Sequence, residues 1–73
     1  PDPEPYLLAL DRFGIESAQA LVIEDSERGL RSAVAAGIDC AAVSHPFTAR
    51  QNFDQARYRF PDLTALKAFL MHQ

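Results

Sequence analysis

Apolar residues along this chain follow two spacings. Tyr6, Leu7, Leu10 and Phe13 recur at helical intervals, as do Leu30, Ala33, Val34 and Gly37, and later Leu63, Leu66, Ala68, Phe69 and Leu70. Between them stand short continuous runs, Ala20-Leu21-Val22-Ile23 and Cys40-Ala41-Ala42-Val43, bounded by polar and turn residues. Runs of that kind read as buried parallel strands. The spacing predicts helices over residues 3–13, 26–36 and 63–71 and strands over residues 20–24 and 40–43. Residues 57–60 form a third, more polar strand suited to a sheet edge. Asp2 can cap the first helix, whose prolines sit where no amide partner is needed. Gly14 and Gly37 supply helix stops, and Ser17-Ala18-Gln19 is a connecting turn. After the break at Ser44-His45-Pro46, Thr48 is placed to cap a short helical segment through about residue 55, and Pro61-Asp62 restarts a helix.

Alternating helices and strands imply parallel pairing through right-handed crossovers. The expected fold is therefore α/β: a partial Rossmann-like three-layer sandwich of about three parallel strands with crossover helices. Three strands fall below the usual five or six per sheet. Both apolar strands are poor exposed edges, so one side of the sheet expects further strands, and an unpaired edge invites self-association. The chain begins at Pro1 in the middle of a helix-start signal, which points to a piece of a longer polypeptide.

Composition narrows the class. With 73 residues, 48% of them hydrophobic, the chain can build only a small core. Its net charge of -3 comes from 10 acidic and 7 basic residues scattered along the sequence. No basic stripe points to nucleic acid. No apolar stretch approaches the length of a membrane span, and no signal peptide is present. Cys40 is the single cysteine, so an internal disulfide and a multi-cysteine zinc site are excluded. It reads as a small core hydrophobe in a reducing, cytoplasmic setting.

The chemistry concentrates where the first strand ends. Leu21-Val22-Ile23 runs into Glu24-Asp25, followed by Ser26-Glu27-Arg28-Gly29 at a helix start. Ligands of open α/β sheets sit beyond the carboxyl ends of the strands. Magnesium is commonly held there by one or two carboxylates together with phosphate oxygens and water. The strand end can bring both carboxylates to one site, and the helix start offers amides to an anion. The alternative is purely local: Asp25 or Ser26 caps the helix and Glu24 is solvated. Gly29 stands out, since glycine in a helix costs about 1 kcal/mol relative to alanine. Close approach of a ligand or another backbone accounts for it, and so does tight helix–strand packing. His45 and His72 read as exposed loop and terminal histidines with nothing to pair with, and Tyr58 and Phe60 as packing residues of the last strand.

The run Val22-Ile23-Glu24-Asp25-Ser26-Glu27-Arg28-Gly29-Leu30, continued by Ala33 and Ala35-Ala36-Gly37-Ile38, resembles the fourth signature of the haloacid dehalogenase-like hydrolases. Pro1-Asp2-Pro3-Glu4-Pro5-Tyr6-Leu7 resembles the stretch after that family's third-signature lysine. The resemblance covers residues 1–43 well and 44–73 loosely, and is nearest in character to the phosphatase and beta-phosphoglucomutase-like members. It implies a magnesium-dependent phosphomonoester hydrolase acting on a small phosphorylated metabolite such as a sugar phosphate. It also implies that Asp25 binds Mg2+ directly, that Glu24 ligates the ion or orders its water shell, and that Ser26 supports the loop; Arg28 has no assured role. The family reaction passes a phosphoryl group to an aspartate nucleophile and then to water, splitting one difficult step into two.

The aspartate-x-aspartate nucleophile signature, the second-signature hydroxyl residue and the cap domain do not occur in this sequence. The expectation is thus residues 1–73 as the C-terminal part of a core domain, inactive alone, with no catalytic residue of its own. Other readings remain open: a sugar-phosphate mutase of the same superfamily, a phospho-acceptor receiver domain, or a non-catalytic interaction module. A Pro-rich helix start ahead of the acidic pair disfavours the receiver domain.

Overall fold

The computed structural model describes residues 1–48 and 50–72. Helix α1 (Glu4–Phe13) is followed by a single 3-10 turn (Ser17–Gln19) and strand β1 (Leu21–Glu24). Helix α2 (Glu27–Ala35), strands β2 (Asp39–Val43) and β3 (Tyr58–Phe60), and helix α3 (Leu63–Met71) complete the order. The strands form one sheet, β1-β2-β3, parallel throughout. This is the expected α/β, Rossmann-like arrangement, and each element lies within a residue or two of its expected bounds.

Local signals set those bounds. The Asp2 carboxylate accepts from the Glu4 amide at 2.9 Å. Gly14 ends α1 at φ 65, and Gly37 takes φ 76 just beyond α2. Both are left-handed conformations that favour glycine. At α3, Asp62 caps the helix by accepting from the Ala65 amide at 2.8 Å.

Register then sorts the side chains. Val22 pairs with Cys40 and Glu24 with Ala42, whereas Ile23 pairs with Ala41. On the first face Cys40 and Ala42 pack with Leu30 and Ala33 of α2 and with Phe53, with Tyr6 and Val22 at the margin. On the second face Ala41 and Val43 pack with Leu66 of α3, beside Tyr58 and Phe60. Both aromatic rings meet Phe69, at centroid distances of 4.8 and 5.2 Å. β2 is thus the buried centre of a three-layer sandwich. β1 is an edge, and Ile23 on its second face remains 47% exposed.

One element differs from expectation. No helix forms over residues 48–55 among the described residues, and Ala49 of that segment lies outside them. Side-chain bonds to the backbone compete with helix formation, and here they win. The Asn52 side chain accepts from the Asp54 amide at 2.8 Å, and Thr48 Oγ1 accepts from the His45 amide at 3.3 Å. The connection is also strapped to α2: Gln51 Oε1 accepts from the Glu27 amide at 2.8 Å, and Glu27 Oε1 accepts from the Asn52 amide at 3.0 Å. Phe53, 2% exposed, fills the place that a crossover helix would cover. No helix among the described residues is long and apolar enough to cross a membrane.

Because Phe53 anchors an otherwise polar connection, Phe53→Ala should destabilise the fold by about 3 kcal/mol, the usual cost of such a core truncation. A urea unfolding midpoint unchanged by the substitution would contradict that role.

Candidate functional site

A cleft of about 770 Å3 opens beyond the carboxyl ends of β1 and β2, where α/β folds bind ligands. Its polar lining comes from Glu24 and Asp25 after β1, Ser44 and His45 after β2, and Asp62 and Thr64 at the start of α3. The sheet thus brings together residues far apart in the chain.

The two adjacent carboxylates have different partners. Glu24 follows the first face of β1, and its Oε1 accepts from the Tyr6 hydroxyl at 2.6 Å. That distance lies in the range of a charge-assisted O–H···O⁻ bond. The same carboxylate rests against α2 at Gly29, where an added Cβ would fall on top of it. Glycine in the first helical turn therefore gives room for a close approach, one of the readings its position in the sequence allowed. Asp25 extends into the open cleft: its side chain is 65% exposed, with Oδ2 3.3 Å from His45 Nε2. His45 also accepts at Nδ1 from the Phe47 amide at 3.2 Å.

One expectation about the site needs correction and another is narrowed. His45 is not an unpaired loop histidine; the parallel pairing of β1 and β2 carries it to Asp25. At the start of α2, part of the amide set expected to face an anion is taken up within the protein. Ser26 Oγ accepts from the Gly29 amide at 3.1 Å, the Ser26 carbonyl from the Leu30 amide, and Gln51 from the Glu27 amide. Ser26 thus supports the loop as a helix cap. Sequence reasoning also missed Tyr6, which was counted only as part of an apolar helix face.

Burial around Glu24 shifts two neighbouring groups. Burial first, and then the hydrogen bond and charge of Glu24, push the Tyr6 phenol well above its usual range. Burial and the Glu24 charge push the Cys40 thiol up to about 11. Both groups stay protonated at neutral pH, and Cys40 is a buried free cysteine in the core.

The donor set is hard oxygen, as Mg2+ requires. Among the described residues no three His, Cys, Asp or Glu side chains gather as a complete metal cage. Two carboxylates at a strand end still fit an ion that keeps waters and phosphate oxygens in its shell.

The chain is similar to several known proteins. A family model described as haloacid dehalogenase-like hydrolase matches residues 1–43, which include α1, β1, α2 and β2. A haloacid dehalogenase-like hydrolase domain-containing protein of Arabidopsis thaliana is 39% identical, over 92% of this chain and 21% of its own length. The plasmid-encoded protein CbbY of Cupriavidus necator is 43% identical, over 86% of this chain and 25% of its own. Fructose-1-phosphate phosphatase YqaB of Escherichia coli is 40% identical, over 59% of this chain and 23% of its own. The chain spans about a quarter or less of the length of these relatives.

The raised thiol and phenol give stability a pH dependence. An acid that is neutral when protonated, and whose folded value is raised, binds its proton more tightly in the fold. For Cys40 that stabilisation is whole below 9.0 and is lost as pH climbs through about 11. The urea midpoint should therefore fall between pH 9 and 11, and fall less in Cys40→Ala; equal slopes in the two proteins would contradict it.

Proposed function

Because the chain belongs to the haloacid dehalogenase-like hydrolase family, we propose that it forms the metal-binding end of the core domain of a phosphomonoester hydrolase. The observation that carries this reading is the placement of Asp25, exposed on the cleft beyond the strand ends. Asp25 would hold Mg2+, with Glu24 beside it and Ser26 keeping the turn in place. The ion, when bound, offsets negative charge on a phosphate group. Asp25 supplies a carboxylate facing solvent, where a phosphorylated ligand can enter. Glu24 adds a fixed negative charge at the back of the same cleft. His45 lies beside Asp25, and Ile23, Val43 and Leu63 give the cleft its apolar walls.

The nucleophile belongs to the aspartate-x-aspartate signature that this sequence lacks, so these residues amount to the C-terminal part of the core domain and are inactive alone. A small phosphorylated metabolite such as a sugar phosphate is the proposed substrate. Support comes from the Escherichia coli relative, a fructose-1-phosphate phosphatase. A sugar-phosphate mutase of the same superfamily is the alternative reaction. An unpaired buried cysteine supports a cytoplasmic setting.

At its full natural length the protein should hydrolyse p-nitrophenyl phosphate with Mg2+, and Asp25→Asn should lower that rate about 100-fold, as removal of charge stabilisation typically does. The 73-residue chain should show no turnover. Hydrolysis that survives both EDTA and Asp25→Asn would reject the assignment.

The edge of β1 supports a second property of the 73-residue chain. Its outer backbone groups and the exposed Ile23 and Leu21 offer a template for strand addition. Sedimentation should show concentration-dependent association, which Ile23→Lys weakens; a monomer at all concentrations would count against it.

A further inference from the structure

We propose that Tyr6 is a positioning residue for the metal site: its hydroxyl holds Glu24 in the notch left by Gly29, so that Glu24 acts on the ion from behind while Asp25 reaches it. The proposal rests on the metal-binding reading of Asp25 and extends it to a residue on a different element.

Two independent features fix Glu24. The first is chemical: the Tyr6 hydroxyl donates to Oε1 at 2.6 Å in a half-buried setting. Packing alone would be met by phenylalanine, since the ring of Tyr6 lies against the Leu30, Cys40 and Phe53 cluster. The hydroxyl has Glu24 as its partner and is otherwise a polar group carried into a small core. The second is steric: Gly29 leaves open the space that the carboxylate occupies, and a Cβ there would make the carboxylate move. α1 supplies the donor, β1 the carboxylate and α2 the space.

This arrangement divides the work of the acidic pair. With one oxygen engaged by Tyr6 and the group seated over Gly29, Glu24 is not free to swing outward as Asp25 is. It still borders the cleft, where its charge attracts a cation and its remaining acceptor capacity can orient water. Groups that orient a metal's ligands and water in this manner typically contribute 10- to 100-fold in metal affinity. Among the described residues the Tyr6 hydroxyl bonds to Glu24 and the Asp25 carboxylate pairs with His45, so the effect passes through Glu24.

Mn2+ serves as the probe, its binding followed by water proton relaxation in the protein at full natural length. Tyr6→Phe should weaken Mn2+ binding about 10-fold, and should have no further effect in a Glu24→Gln background. Gly29→Ala, which evicts the same carboxylate but keeps the hydroxyl, should weaken binding to a similar extent and serves where Tyr6→Phe fails to fold. Binding that is lost in Asp25→Asn but unmoved by Tyr6→Phe or Gly29→Ala overturns the positioning role and leaves the metal reading intact. Equal weakening by Tyr6→Phe with and without Glu24 also overturns it, as a merely structural effect. Binding unmoved by Asp25→Asn rejects the metal reading and this proposal together.

Discussion

A carboxylate carried to the inner end of β1 needs a donor and needs space, and the arrangement of α1, β1 and α2 follows from meeting both needs. An ionised side chain in a half-buried position is costly unless hydrogen-bonded. Tyr6 supplies the bond and Gly29 the space. Each constrains an element: α1 must present its second turn to the strand end, and α2 must begin close enough for its backbone to cover the group. The helical cost of Gly29 is set against the room it gives the Glu24 carboxylate, which a side chain at that position would displace.

The rest of the fold holds this corner in place. β2 is buried on both faces, and its alternating residues feed two separate clusters. On the α2 side the connection from β2 to β3 replaces a crossover helix with one buried ring, Phe53, and a reciprocal strap between Glu27, Gln51 and Asn52. That strap also occupies the amide at the start of α2. The polar side chains of the cleft include Asp25 and its neighbour His45. α3 closes the second face over β2 and β3 but leaves Leu21 and Ile23 of β1 exposed, so the strand end that carries Glu24 and Asp25 lies on an uncovered edge of the sheet.

Much of this was legible in the residues. The helices and strands carry their own limits in Asp2, Gly14, Gly37 and Asp62, and apolar runs specify parallel strands whatever lies around them. The Glu24-Asp25 pair marked the site, and the oddity of Gly29 marked a close approach. What could not be read were bonds between distant segments. Tyr6 counted as a hydrophobe because helical spacing takes no account of a hydroxyl's partner. His45 had no neighbour in sequence, since its partner is brought to it by strand register. The segment after Thr48 looked helical because, besides local turns at Thr48 and Asn52, its bonds run to Glu27, on another element.

The central claim is that adjacent carboxylates have separate duties, Asp25 on the ion and Glu24 held behind it. A crystal structure of the protein at full natural length, with Mg2+ and a phosphate mimic, tests this most directly. The account predicts an Asp25 oxygen about 2.1 Å from the ion, with Glu24 still accepting from the Tyr6 hydroxyl above Gly29. An ion bound away from Asp25, or a Glu24 that has left its notch to ligate directly, would contradict it.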